Sequence, residues 1–239
     1  MPLDDESPSS GPHPVAPFSH PERASLRVST GSVSVDSMLG GGVAFGRLTE
    51  FSGDSGTGKS QLLFTVAVNL PLSAGRLLFA DTTGTFRPER LHQIATLRNV
   101  EPEPVLANVE VLEARTSERL VFSIDAALSS EGYSAVLVDS LSDPFYGGGS
   151  LPRETSRLSL FCRRLAFFAL TKNALVVMTN GVRYNPDAGL TYPLGVEHTA
   201  AYIHTRVSLR RNGDRWLAVD LASRAKAEYA IGPAGIVDV

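Results

Sequence analysis

The chain has 239 residues, 43% of them hydrophobic and 20% charged, with a formal net charge of −3. That is enough apolar material for one sizeable core and a tail, and the slightly acidic balance provides no overall basic field of the kind that marks a general polyanion binder. The single cysteine, Cys162, excludes an internal disulfide framework and a cysteine-based zinc site, and no apolar run approaches the length of a membrane span.

Residues 1–25 are rich in Pro, Ser and charge, include Pro12-His13-Pro14, and are expected to form a flexible tail ahead of a core at 26–239. The opening Met1-Pro2-Leu3-Asp4-Asp5-Glu6 has neither the basic nor the apolar region of a signal peptide. The expected location is the cytoplasm or nucleoid, or the nucleus in a eukaryote, with no membrane contact.

Ser32 to Leu39 reads as a short helix closed by Gly40-Gly41-Gly42. Leu48-Thr49-Glu50-Phe51 reads as a strand and Gln61 to Val68 as a helix. Between them Gly53, Asp54, Ser55, Gly56, Thr57, Gly58, Lys59 and Ser60 match G-x-x-x-x-G-K-[ST] without departure. In a strand–loop–helix setting this pattern is a nucleoside triphosphate site. The glycines let backbone N–H groups face a phosphate chain at the positive end of a helix. Lys59 is then placed to reach the β- and γ-phosphates, and the Ser60 hydroxyl to sit on Mg²⁺.

Further along, Leu77 to Ala80 is an apolar strand ending at Asp81, Pro88 to Arg98 a helix, Val105 to Leu112 another strand, and Ser117 to Ser130 a helix. Ala135 to Asp139 is a buried strand with a terminal acid, residues 153–172 form a long amphipathic helix holding Cys162 as a small buried hydrophobe, and Ala174 to Met178 is a further strand. Near-continuous apolar strands alternating with helices predict an α/β fold with a mostly parallel sheet covered on both faces. Ligands in such folds gather at the C-terminal strand ends, where the phosphate loop, Asp81, Asp139 and Asn180 all fall. Asp139, 80 residues past Lys59, is the expected second anchor for the metal. Ile203 to Arg211 and Trp216 to Leu221, joined by Asn212-Gly213, predict an antiparallel extension at the sheet edge. The histidines form no ligand pattern.

Ser29-Thr30-Gly31, Leu39-Gly40-Gly41-Gly42, the phosphate loop and above all Asp81-Thr82-Thr83-Gly84-Thr85-Phe86-Arg87-Pro88-Glu89-Arg90 resemble the RecA/RadA recombinases. The block from Gly84 to Arg90 is specific to their archaeal and eukaryotic branch. The resemblance continues through Val138-Asp139-Ser140, Thr179-Asn180-Gly181-Val182 and Pro193-Leu194-Gly195, and ends in Ala227 to Ile231 and Gly235 to Asp238. With no counterpart of the family's N-terminal helix-hairpin-helix domain, the chain looks most like a core-only paralog of the RadB type. The resemblance implies a RecA-like P-loop NTPase core that takes ATP and Mg²⁺, with Gln61 at the nucleotide and Arg90 stacked on the adenine. It implies DNA-facing loops at Pro144 to Pro152, where Gly147-Gly148-Gly149 would give flexibility, and at Gly181 to Tyr192. Arg153, Arg157 and Arg183 would contact phosphates and Tyr184 would stack on a base. The implied partners are DNA, single-stranded before duplex, and a RadA-type recombinase or another paralog.

The departures bear on mechanism. Where the family has Asp-Thr-Glu-Gly, this chain has Asp81-Thr82-Thr83-Gly84, and Thr83 has no carboxylate to orient the attacking water. Loss of a general base costs ~10²–10⁴ in rate. Gly181 stands where a glutamine senses the γ-phosphate, and Ala201 where a histidine is expected. The Ser-Pro and Pro-Glu elements that cap nucleotide across a subunit boundary are missing around Ser223-Arg224, and Phe18 does not begin a Phe-x-x-Ala assembly handle. The expected function is an ATP-binding paralog that assists homologous recombination, with Lys59 as the surviving catalytic residue and hydrolysis weak or absent. A competent DNA-stimulated ATPase using Glu50 or Asp54 as a substitute carboxylate is the second reading. A KaiC-like signalling ATPase, which shares the phosphate loop and the triple glycine, is the third.

Overall fold

The computed structural model describes residues 26–130, 132–146, 151–187 and 189–239. The expected tail at 1–25, with its Phe18, and Gly147-Gly148-Gly149 lie outside the described residues. The strands are β1 (Arg27–Val28), β2 (Val43–Ala44), β3 (Arg47–Gly53), β4 (Arg76–Asp81), β5 (Val109–Glu113), β6 (Tyr133–Asp139), β7 (Leu175–Asn180), β8 (Val182–Asn185), β9 (Leu190–Pro193), β10 (Thr205–Asn212), β11 (Arg215–Asp220), β12 (Lys226–Gly232) and β13 (Gly235–Val237). The helices are α1 (Val33–Met38), α2 (Lys59–Asn69), α3 (Pro88–Leu97), α4 (Pro102–Asn108), α5 (Ser117–Ser129), α6 (Asp143–Tyr146), α7 (Leu151–Lys172) and α8 (Val196–Thr199).

Among the described residues the main sheet runs in the order β13-β12-β11-β10-β3-β7-β6-β4-β5. From β10 to β5 all neighbours are parallel, and β10 to β13 are antiparallel to one another. The pleat divides the apolar strands between two cores. Leu77 and Phe79 of β4, Leu137 of β6 and Val177 of β7 pack with Leu62, Leu63 and Val66 of α2. Their neighbours Leu78, Ala80, Val136, Val138, Val176 and Met178 face the opposite way, onto Leu158, Phe161 and Leu165 of α7. Successive strand residues point to opposite faces, so strands without polar alternation require cover on both. Cys162 belongs to the second core, where burial pushes its thiol up to about 12, as befits a packing residue.

The expected helix over Ser32 to Leu39 forms as α1. Ser32 is its N-cap and accepts from the Val35 N–H, while Asp238 reaches from the far end of the chain to accept from Ser32 Oγ at 2.6 Å and from the N–H groups of Val33 and Ser34. One boundary differs. The strand expected at Val105 to Leu112 begins only at Val109, and Pro102–Asn108 is a helix. Pro102 sits in the first turn, where its missing donor is not needed. Val105 supplies the buried residue of that helix, and β5 then pairs with β4 from Val109↔Leu77 onward. The segment Gly181 to Tyr192, expected as a loop, is largely a hairpin in which Val182 pairs with Pro193 and Asn185 with Leu190.

Candidate nucleotide-binding site

The phosphate loop leaves β3 at Gly53 and enters α2 at Lys59. Its bend needs glycine at Gly58, whose φ is +85° and where an added Cβ would lie 2.5 Å from Ile231 Cδ1. Gly53 is just as constrained, since a Cβ there would meet the Leu209 carbonyl oxygen at 2.4 Å. The loop is also held from behind by the antiparallel extension. Trp216 Nε1 donates to the Gly56 carbonyl at 3.1 Å and the Tyr229 hydroxyl to the Thr57 carbonyl at 2.7 Å. Those two bonds fix the loop's backbone against β11 and β12, and the Thr57 N–H donates to the Asp54 carbonyl within the loop at 3.4 Å. Lys59 Nζ donates to the Gly53 and Asp54 carbonyls, both at 2.8 Å, and its pKa is lowered by burial.

The loop opens onto a cavity of about 350 Å³. Asp54, Lys59 and Ser60 line one part, and the C-terminal ends of β4, β6 and β7 contribute Thr83, Asp139 and Gly181. Asp139 is buried, and desolvation raises its pKa against the hydrogen bonds it accepts from Ser60 and from Thr179, the latter at 2.5 Å. A buried carboxylate beside a serine hydroxyl, both oxygen donors, suits a hard cation such as Mg²⁺. Lys59, Ser60 and Asp139 are thus brought together from segments 80 residues apart.

Asp81 has a different task. Its Oδ1 accepts from the N–H groups of Thr83, Gly84 and Thr85 at 3.1, 2.8 and 3.2 Å, and its Oδ2 from Phe86 at 2.9 Å. Burial alone would raise its pKa, but these four N–H groups outweigh it and hold the carboxyl below its usual value. The folded-state pKa is depressed, so this stabilisation is complete above the unfolded value and is lost as pH falls through the folded one. Asp81→Ala is expected to cost about 1.5–3 kcal/mol in urea unfolding at neutral pH, and the gap to the parent chain should close as the pH is taken below about 4. A gap that persists unchanged under acid would exclude the charged hydrogen bonds as its source.

Thr83 follows this turn, with its Oγ1 donating to Asp81 at 3.2 Å and sharing a hydrogen bond with Thr85 Oγ1 at 2.7 Å. Arg90 opens the neighbouring α3. Its Nε donates to Gln61 at 2.7 Å and its two terminal nitrogens to the carbonyls of Pro233 and Gly232 at 2.6 and 2.7 Å. These bonds fix the guanidinium plane between α2 and the β12–β13 turn.

Glu50, considered as a substitute carboxylate, does not line the cavity. It is fully buried in β3, ion-paired with Arg206 at 2.6 Å and bonded by Asn180 Nδ2 at 2.6 Å. Burial raises its pKa, with Arg206 and Asn180 opposing. Asp54 does line the cavity, as part of the loop itself. A carboxylate the sequence reading passed over, Asp143 at the start of α6, also lines it.

The expected DNA-facing residues separate into two groups. Arg157 is mostly covered, donating to Glu118 at 2.8 Å, to Glu154 at 3.1 Å and to Ser117 at 3.2 Å, so its charge is engaged in joining α5 to α7. Arg153 is exposed and 3.6 Å from Glu118. Arg183 and Tyr184 are exposed on β8, beside a groove of about 490 Å³ that Tyr146, Tyr192, Glu197 and His198 also line. Tyr192, which stands across the hairpin from Arg183, was not singled out from sequence. Only the strand register reveals it.

The phosphate loop at the end of β3, a strand-end acid two strands away and a parallel sheet with an antiparallel edge define a RecA-like P-loop nucleotide-binding core. A family model described as Rad51 matches residues 22–239, and the chain belongs to that family. It is 34% identical over 237 residues to the "DNA repair protein RAD51" of Mycosarcoma maydis, covering 89% of this chain and 70% of that protein. It is 35% identical over 236 residues to the "Meiotic recombination protein DMC1" of Saccharomyces cerevisiae, covering 88% and 71%. To the "DNA repair and recombination protein RadA" of Ignicoccus hospitalis it is 32% identical over 244 residues, covering 91% and 75%.

Proposed function

We propose that the chain is an ATP-binding recombinase paralog of the RadB kind, acting in homologous recombination by binding DNA, a RadA-type recombinase, or both. The observation that carries this reading is the cavity at the strand ends, where Lys59, Ser60 and Asp139 are assembled and residue 83, at the end of β4, is a threonine rather than a carboxylate. Loop N–H groups and Lys59 would hold the phosphates, Ser60 and Asp139 would hold Mg²⁺, and Arg90 would cover the adenine. When bound, Mg²⁺ supplies charge neutralisation at the phosphates. Hydrolysis is slow for want of a carboxylate at residue 83, and bound ATP acts mainly as a ligand that stabilises the fold by mass action.

Arg153, Arg183 and Tyr184 form the DNA-binding side. Exposed arginines suit phosphate contacts without sequence preference, and tyrosines suit stacking on unpaired bases, which favours single strands. Arg157 supports this side by holding α7 rather than by touching DNA. Such a protein works where the DNA is, in the nucleoid or the nucleus. The test is ATP affinity by titration alongside steady-state turnover with and without single-stranded DNA. Micromolar or tighter binding with turnover below about 0.01 per second in both conditions is expected. Strong DNA-stimulated turnover would overturn the slow-hydrolysis reading, and absence of nucleotide binding would overturn the whole.

A further inference from the structure

Among the described residues, Asp54, Asp81, Asp139 and Asp143 stand in or near the cavity, and their surroundings differ. Asp81 is saturated by backbone N–H groups, and Asp139 accepts from Ser60 and Thr179. The Asp54 carboxylate is exposed and, among the described residues, has no hydrogen bond or ion pair, but it sits on the phosphate loop itself. Asp143 is exposed, lines the cavity with Thr83, Ser140 and Gly181, and among the described residues no hydrogen bond or ion pair holds its carboxylate. It lines that cavity together with Lys59 and Ser60.

The position of Asp143 is fixed by its neighbours. The Leu141 N–H donates to the Thr179 carbonyl at 2.8 Å and the N–H groups of Phe145 and Tyr146 donate to the Ser142 carbonyl, which starts α6 directly after the end of β6. Pro144 and Phe145 are buried and anchor that turn. Asp143 is therefore presented from a packed corner, on the part of the lining contributed by strand ends. An in-line water has to approach a phosphate chain from the side not occupied by the loop that holds it. Thr83, Asp143 and Gly181 belong to that side.

We infer that Asp143 is the carboxylate that orients the attacking water in this chain, in place of the one absent at Thr83. The inference rests on the nucleotide reading above. In the step, the water oxygen's lone pair forms the new bond to the terminal phosphorus. The bond from phosphorus to the bridging oxygen breaks with its electrons leaving on the diphosphate. The water proton passes to the Asp143 carboxylate and then to solvent. Because Asp143 comes from the β6 end rather than the β4 end, its approach differs from that of a residue-83 carboxylate, which fits residual rather than full turnover.

The test compares the parent chain with Asp143→Asn and Asp143→Glu in three measurements: ATP turnover, affinity for a non-hydrolysable ATP analogue, and affinity for ADP with aluminium fluoride. The fluoroaluminate complex mimics the transition state and reports water orientation without turnover. Asp143→Asn is expected to lower turnover and fluoroaluminate affinity about tenfold or more, to leave analogue affinity within about threefold, and to be partly rescued by Asp143→Glu. Unchanged turnover and fluoroaluminate affinity in Asp143→Asn would overturn the inference. So would a parent chain that binds the analogue but gains nothing from fluoroaluminate over ADP alone, in which case the nucleotide reading stands. A parent chain that binds neither ADP nor the analogue removes both.

Discussion

Replacing Arg206 with alanine is expected to destabilise the protein by about 3–5 kcal/mol at neutral pH, the usual result of leaving a buried charge without its partner. Arg206 donates to Glu50 at 2.6 Å and to Thr199 Oγ1 at 2.7 Å, and the Glu50 side chain has no exposure to solvent. Without the guanidinium, Glu50 keeps only the bond from Asn180, and desolvation drives its pKa further up. A group whose folded pKa lies above its unfolded value destabilises progressively as pH rises through that interval. The deficit of Arg206→Ala is therefore largest at neutral pH and shrinks toward pH 5, readable as urea midpoints across that range. The double variant Glu50→Met/Arg206→Met should recover most of the loss, because a hydrophobic pair of similar volume avoids desolvating any charge. A single variant within about 1 kcal/mol of the parent chain at neutral pH would show that the pair is not buried as described.

Thr83→Glu is expected to raise ATP turnover by about 10² or more, toward the lower end of what a positioned general base contributes. Thr83 lines the cavity with Lys59, Ser60 and Asp139, and the Asp81 turn holds its backbone N–H at 3.1 Å. A glutamate there extends from a fixed point, at the loss of the hydroxyl contacts to Asp81 and Thr85. Affinity for a non-hydrolysable ATP analogue should change by no more than about threefold, since a group acting on the water contributes mainly in the transition state. If turnover does not move while binding is intact, the missing glutamate is not what limits hydrolysis. Addition of Asp143→Asn to this variant should leave most of the gain, because the new carboxylate works from the β4 end.

The site was legible in the sequence where local backbone demands fix the residue type. Gly53 and Gly58 are glycines because a Cβ at either would meet Leu209 or Ile231, so the loop is written as a contiguous pattern. Asp139 was legible because four apolar strand residues lead directly to it. The pairing of Glu50 with Arg206 was not, since 156 residues separate them and neither element shows which partner strand will lie beside it. The parallel register of β10 on β3 creates that pair. Asp143 escaped for a related reason, because an acid in a Ser-Asp-Pro corner reads as a turn former until the sheet order places the end of β6 next to the loop. The helix at Pro102–Asn108 was missed because Val105 and Leu106, followed by Val109 and Val111, imitate a strand over a stretch that in fact changes from one period to the other.

Trp216 is the chain's one tryptophan, and its indole N–H is bonded to the back of the phosphate loop at Gly56 while its ring stands 6.3 Å from that of Tyr229. The protein thus has a single indole, which can be excited apart from its tyrosines and is tethered to the backbone of the candidate phosphate loop. Its emission reports on the surroundings of that loop in real time, so a ligand titration can be read without a label, a substitution or a modified nucleotide.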